Sequence, residues 1–208
     1  SFIEAGLLIL LAGLMDIFDG KIARLLGISS KFGVEFDSLA DVVSFCVAPS
    51  ILVYNLYCNE LHSIVGAVFS FIPLIAGTVR LAKYNLESDE DNPKSYFVGL
   101  STPISTVTIL AFMYFSNQLV GEDYYGDQRL GLALVCILGL LMLSPIHFPK
   151  VPLITFKSSS SNSILLVILI ACTLSLFIWK GIALLPICLG YIIMNTLVWI
   201  FKTKTTNI

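Results

Sequence analysis

The sequence predicts an all-α polytopic membrane protein, and three observations carry that prediction. The chain is 57% hydrophobic and only 12% charged, where a soluble domain of similar length carries roughly a quarter charged residues. Its apolar residues come in long continuous runs, each close to the roughly 20 helical residues needed to cross a bilayer core about 30 Å thick. The alternating segments of about ten residues that mark a membrane β-barrel are absent.

The runs lie at about 3–24, 36–58, 63–85, 98–119, 129–147, 163–179 and 182–201. They predict about seven transmembrane helices in this fragment. Only Lys180 and Gly181 separate the last two runs, so these form a tight helical hairpin, with Pro186 early enough in its helix to be tolerated. The stretch LESDEDNPKSY at 86–96 reads as a solvated turn that breaks at Asn92-Pro93. The serines at 158–161 with Asn162 read as a connector that can cap the sixth helix. Glu122, Asp123 and Asp127 read as solvated loop charges.

Several classes are excluded or disfavoured. No soluble domain, internal repeat or nucleic-acid signature is present. The five cysteines, Cys46, Cys58, Cys136, Cys172 and Cys188, fall in or beside apolar runs with no CxxC pair. They read as packing residues, not as a disulfide or zinc framework. The chain opens Ser1-Phe2 without a basic segment and cleavage site, so no signal peptide is read, and the natural N-terminus is expected upstream.

Basic residues set the expected orientation. Lys21, Arg24, Lys31, Arg80, Lys83, Lys94, Lys150, Lys157, Lys202 and Lys204 fall on one side of the seven runs, and only Arg129 and Lys180 on the other. The positive-inside rule makes the first side cytoplasmic. The membrane is expected to be a prokaryotic cell membrane in preference to a eukaryotic endomembrane.

The most informative stretch is MDIFDGKIARLLGISSKFGVEFDSLADVVSF, which holds Asp16, Asp19, Asp37 and Asp41. In the expected topology the first pair closes one helix and the second pair opens the next, so all four share one cytoplasmic depth. Spacings of three and four place each pair on one helical face. Ionised side chains at membrane depth are costly and point to function. At a separation of about 6 Å and an effective dielectric of about 20, each like-charged pair repels by roughly 3 kcal/mol. Arg24 alone cannot balance four negative charges, whereas two divalent cations can. Oxygen ligands without His or Cys select Mg²⁺ or Mn²⁺, with Ca²⁺ also compatible. A two-metal carboxylate site is suited to phosphoryl transfer. Gly20 and Ala23 keep one helix face bare for a phosphate or nucleotide, Gly33 clears the facing surface, and Arg24 can neutralise a phosphate. Taken singly, each glycine reads as helix packing between small residues.

These residues carry a family resemblance. Asp16-x-x-Asp19-Gly20-x-x-Ala23-Arg24, then eight residues, then Gly33-x-x-x-Asp37-x-x-x-Asp41 resembles the full signature of the CDP-alcohol phosphatidyltransferases. The resemblance implies transfer of a phosphatidyl group from a CDP-linked donor to an alcohol, with release of CMP. It implies that Asp16, Asp19 and Asp37 are metal ligands, that Asp41 is both ligand and general base, and that Gly20, Ala23, Arg24 and Gly33 line the CDP and phosphate site. It also implies a homodimer, and a further membrane helix ahead of the aspartate-bearing one, which this sequence lacks. One transmembrane domain spans 1–208, its catalytic part at about 5–110 and its C-terminal helices at about 128–201.

The continuation SSKFGVEFDSLADVVSFCVAPS is similar to the branch of the family that uses serine as the acceptor, with Cys46 where Gly is usual. VRLAKYN at 79–85 and YFVGLSTP at 96–103 resemble later motifs of that branch, with Ser101 where Pro is common. The implied substrates are CDP-diacylglycerol and L-serine within membrane lipid, and the implied product is phosphatidylserine. Arg80 at the depth of the aspartates can clamp the serine carboxylate, Tyr84 and Asn85 can add hydrogen bonds, and Lys83 joins them in the candidate serine pocket. The bland alternative for Arg80 and Lys83 is a snorkelling anchor at the membrane edge. Glu35 and Ser38 could support the site from behind. Competing readings are another acceptor (glycerol 3-phosphate, inositol phosphate or choline), a cation transporter built on the aspartates, and a structural subunit.

Overall fold

A computed structural model of the chain describes residues 1–25, 31–87, 96–121, 124–149 and 182–206, with the side chains of 14, 17–25, 31, 34, 87, 149 and 203–206 also outside the description. Within these residues the fold is mostly helical. Helix α1 spans Phe2–Leu25 and α2 spans Lys31–Val42; α2 runs through a π-helical turn, Val43–Val47, into α3, Ala48–Tyr57. Helices α4 (Ser63–Ser70) and α5 (Ile72–Glu87) follow, then α6 (Thr102–Val120), α7 (Gln128–Leu143) and α8 (Leu184–Thr206). Two short strands, β1 (Tyr96–Val98) and β2 (His147–Pro149), pair antiparallel with Phe97 opposite Phe148.

Three helical stretches are long and apolar enough to cross a membrane, Glu35–Tyr57, Ser63–Leu86 and Leu184–Lys202, with shorter apolar helices at Phe2–Gly13 and Gln128–Leu143. The described residues therefore do not establish seven crossings, and the expected span at 163–179, the hairpin at Lys180-Gly181, Cys172 and the serine connector lie outside them. Exposed Leu7, Leu8, Ile64, Leu140 and Met194 give the rods apolar outer faces. In water such a surface would be a liability, whereas lipid accepts it.

Two boundaries differ from the sequence expectation for a clear reason. Residues 98–101 and 144–147 were expected to be helical, yet β1 and β2 occupy their ends. Gly99 has φ of 76° and donates its N–H to the Ile146 carbonyl at 2.8 Å. A side chain there would meet the Met142 carbonyl oxygen, so only glycine closes this corner. Ser101 then takes the N-cap position of α6 with extended backbone and no side-chain capping bond, and Pro103 sits in the first turn, a position that does not need an N–H. Asp127, expected to be a plain loop charge, instead caps α7: its Oδ1 accepts from the Arg129 and Leu130 N–H groups at 2.9 and 3.0 Å.

The interruption between α2 and α3 was not expected at all. Pro49 lies four residues after Phe45 inside a continuous helical run, and proline has no N–H to give the Phe45 carbonyl. The backbone responds with a π turn in which the Ala48 N–H reaches back five residues to the Val43 carbonyl. The orphaned Phe45 carbonyl accepts instead from the Thr106 hydroxyl of α6 at 2.8 Å.

The core lies among α3, α5, α6, α7 and α8, around Val53, Tyr57, Leu100, Ile109, Val135, Leu138 and Phe148. Helix α5 packs on α7 and on the π turn, and α6 on α8. The described cysteines are all free thiols, with Cys46 and Cys58 buried, as the packing reading expected. Cys46 faces Gly77 of α5 so closely that a Cβ on Gly77 would overlap its Sγ. Gly77→Ala is expected to destabilise the protein by about 1–3 kcal/mol through overpacking. Cys46→Ala in the same chain should return part of that loss, seen as a non-additive double-mutant cycle in thermal unfolding in detergent.

Candidate active site

The interrupted helix and α5 together build the site. Asp37 and Asp41 sit one turn apart in α2, just ahead of the π turn. Asp37 is exposed and Asp41 half-buried. Asp37 and Arg80 both act electrostatically on Asp41. Arg80 comes from α5 and is only 6% exposed, which removes the snorkelling reading, because a snorkelling head group reaches water. Lys83 is exposed and retains that bland reading.

Two buried polar atoms at this spot lack hydrogen-bond partners among the described residues, Asp41 Oδ1 and Arg80 Nε. A buried carboxylate oxygen and a buried guanidinium N–H left unpaired are expensive. Each suits a particular ligand chemistry: the carboxylate oxygen a cation, the N–H a phosphate or carboxylate. The donor chemistry here therefore fits a divalent cation beside an anionic ligand. Among the described residues no three His, Cys, Asp or Glu groups gather into a metal site. Of the four aspartates, Asp16 is half-buried on α1. Asp19, Gly20, Ala23 and Arg24 belong to the last turns of α1, but their side chains lie outside the description. Gly33 is exposed in the first turn of α2.

The candidate acceptor residues are tied into the same place. Asn85 Nδ2 donates to Ser38 Oγ at 3.0 Å, which joins the end of α5 to α2 one residue from Asp37. Phe97 of β1 covers Arg80, with the guanidinium carbon 5.6 Å from the ring centroid, a cation–π distance. Tyr84 meets the same ring edge-on at 5.5 Å. The β1–β2 pairing thus holds an aromatic lid over the arginine.

Sequence reasoning did not single out Phe97, the Cys46–Gly77 contact or Thr106. For Thr106 a signal existed, since Pro49 four residues after Phe45 announces a carbonyl in need of a donor. Phe97 lies in the quoted YFVGLSTP stretch, but nothing there points to its partner arginine, which belongs to a different element.

Comparison with known proteins shows the family. The family model for CDP-alcohol phosphatidyltransferase matches residues 1–200. A CDP-diacylglycerol--serine O-phosphatidyltransferase of Helicobacter pylori (strain J99) is 35% identical over 205 residues, covering 97% of this chain and 81% of the relative. The protein of that name from Methanocaldococcus jannaschii is 35% identical over 145 residues, 70% of this chain and 63% of the relative. The one from Bacillus subtilis is 33% identical over 149 residues, 71% of this chain and 76% of the relative. With the aspartate signature on α1 and α2 and a match across nearly its whole length, the chain belongs to the CDP-alcohol phosphatidyltransferase family.

Proposed function

We propose that the chain is a CDP-diacylglycerol–serine O-phosphatidyltransferase, an enzyme that makes phosphatidylserine and CMP. The observation that carries the choice of acceptor is the buried Arg80 beside Asp41, its Nε without a partner among the described residues. Such a guanidinium is suited to hold a carboxylate next to a proton-accepting group. The serine acceptor of the relatives has that carboxylate.

In this reading the serine hydroxyl oxygen attacks the phosphorus next to diacylglycerol. The new O–P bond forms as the bond from that phosphorus to the bridging oxygen of CMP breaks, and CMP leaves with the electron pair. Asp41 accepts the hydroxyl proton. Arg80 orients the serine carboxylate, Phe97 and Tyr84 keep water off the guanidinium, and Asn85 with Ser38 holds α5 against α2. Arg24 with Gly20, Ala23 and Gly33 is assigned to the CDP and phosphates, and Lys83, Tyr84 and Asn85 complete the serine pocket.

The family generally depends on a divalent metal. We assign two cations, Mg²⁺ or Mn²⁺, to Asp16, Asp19, Asp37 and Asp41, where they supply charge stabilisation to the pyrophosphate. Asp41 Oδ1, buried without a hydrogen-bond partner among the described residues, supports that assignment. Chelation by EDTA is expected to abolish turnover, and added Mg²⁺ or Mn²⁺ to restore it. Activity that persists after exhaustive chelation would overturn the assignment.

Seven membrane crossings in one domain, with the catalytic part at about 5–110 and its site open to the cytoplasm, complete the reading, as does a homodimer. Charge asymmetry supports the orientation, and family membership supports the dimer. An acceptor screen with labelled CDP-diacylglycerol in liposomes tests the function. Serine is expected to give phosphatidylserine with one CMP released per product. Product from glycerol 3-phosphate, inositol phosphate or choline but not serine would overturn the acceptor. Cation flux without CMP release would overturn the enzyme.

A further inference from the structure

The helix that bears Asp37 and Asp41 cannot run regularly into α3. Pro49 deprives the Phe45 carbonyl of its helical donor, and the π turn Val43–Val47 absorbs the mismatch. A π turn re-phases every side chain on one side of it relative to the other. Its winding therefore sets the direction in which Asp37 and Asp41 face relative to α5 and Arg80.

In a non-aqueous surround the freed carbonyl must find a donor. Thr106 supplies it. Thr78, Thr108 and Thr196 each donate to the carbonyl four residues back in their own helix, the usual habit of a helical threonine. Thr106 instead donates across to Phe45, 61 positions away in sequence, and is 1% exposed. On the opposite flank the bare Gly77 receives Cys46 of the π turn. One contact from α6 and one from α5 thus flank the turn.

We infer that Thr106 is a positioning residue: its hydroxyl, through the Phe45 carbonyl, locks the π turn that aims Asp37 and Asp41 at the reaction site. The inference rests on the proposed function only for its catalytic readout.

The test uses the full chain in lipid nanodiscs with Thr106→Val and Thr106→Ser. Valine keeps the shape and loses the donor, and serine keeps the donor. Thr106→Val is expected to lower kcat about 10- to 100-fold, the scale of a small misplacement at a reacting centre. KM values for serine and CDP-diacylglycerol should stay within about twofold. Hydrogen exchange of the amides at 46–52 should accelerate in Thr106→Val and stay near wild type in Thr106→Ser, which should also recover most of kcat.

Each departure overturns the inference: a valine variant with wild-type kcat, one with unchanged exchange, one whose loss lies in KM alone, or a serine variant as impaired as valine. Should the wild type use another alcohol, the acceptor assignment fails and the same series is read with that alcohol. Should it use none, the exchange difference alone decides whether Thr106 locks the turn.

Discussion

Asp41→Asn is expected to lower kcat by about 10³-fold or more while CDP-diacylglycerol still binds. Asparagine fills the same space, so the helix and its π turn remain intact. The amide cannot take up the serine hydroxyl proton, and general-base catalysis alone contributes about 10²–10⁴-fold. It also replaces a carboxylate whose Oδ1 is buried without a hydrogen-bond partner among the described residues, and so weakens any cation held there. The measurement pairs CMP release with equilibrium binding of labelled donor. Near wild-type turnover would remove Asp41 from the chemistry, and loss of donor binding in step with turnover would make it a binding residue.

Arg80→Lys is expected to raise KM for serine by about 100-fold, with a smaller change in kcat. Lysine keeps the charge that balances Asp41, so the comparison isolates geometry. It loses the planar fork that can hold a carboxylate at two points and the flat face that lies against Phe97. Charge-assisted hydrogen bonds of this kind contribute about 1.5–3 kcal/mol, and two factors of ten correspond to about 2.8 kcal/mol. Serine saturation curves at fixed donor read the effect. An unchanged KM would move carboxylate recognition to another residue.

Arg80 also illustrates how far a single sequence reaches. Its position near the end of an apolar run was compatible with a ligand clamp and with a membrane-edge anchor, because both need a cation at that depth. Burial speaks against the anchor, and burial depends on α5 packing against the π turn and on strand β1. Phe97 stood inside a recognisable motif, yet its contact with Arg80 was not legible for the same reason: an aromatic in a short strand acquires a role only when its partner is known. Asp127 is the exposed loop charge expected, but its capping of α7 was not legible because it depends on where the Arg129 and Leu130 N–H groups point.

Membrane class, the helical rods and the eight-position aspartate signature were determined by the sequence alone. These are local properties: run length against bilayer thickness, and spacing between residues close in sequence. The tertiary structure decided what is non-local. It buried Arg80 beside Asp41, set Phe97 over it, and turned the prolyl defect at Pro49 into a π turn held by Thr106. A carbonyl orphaned by proline can be read from sequence, but the hydroxyl that reaches it comes from a helix 61 positions away, and only packing brings the two together.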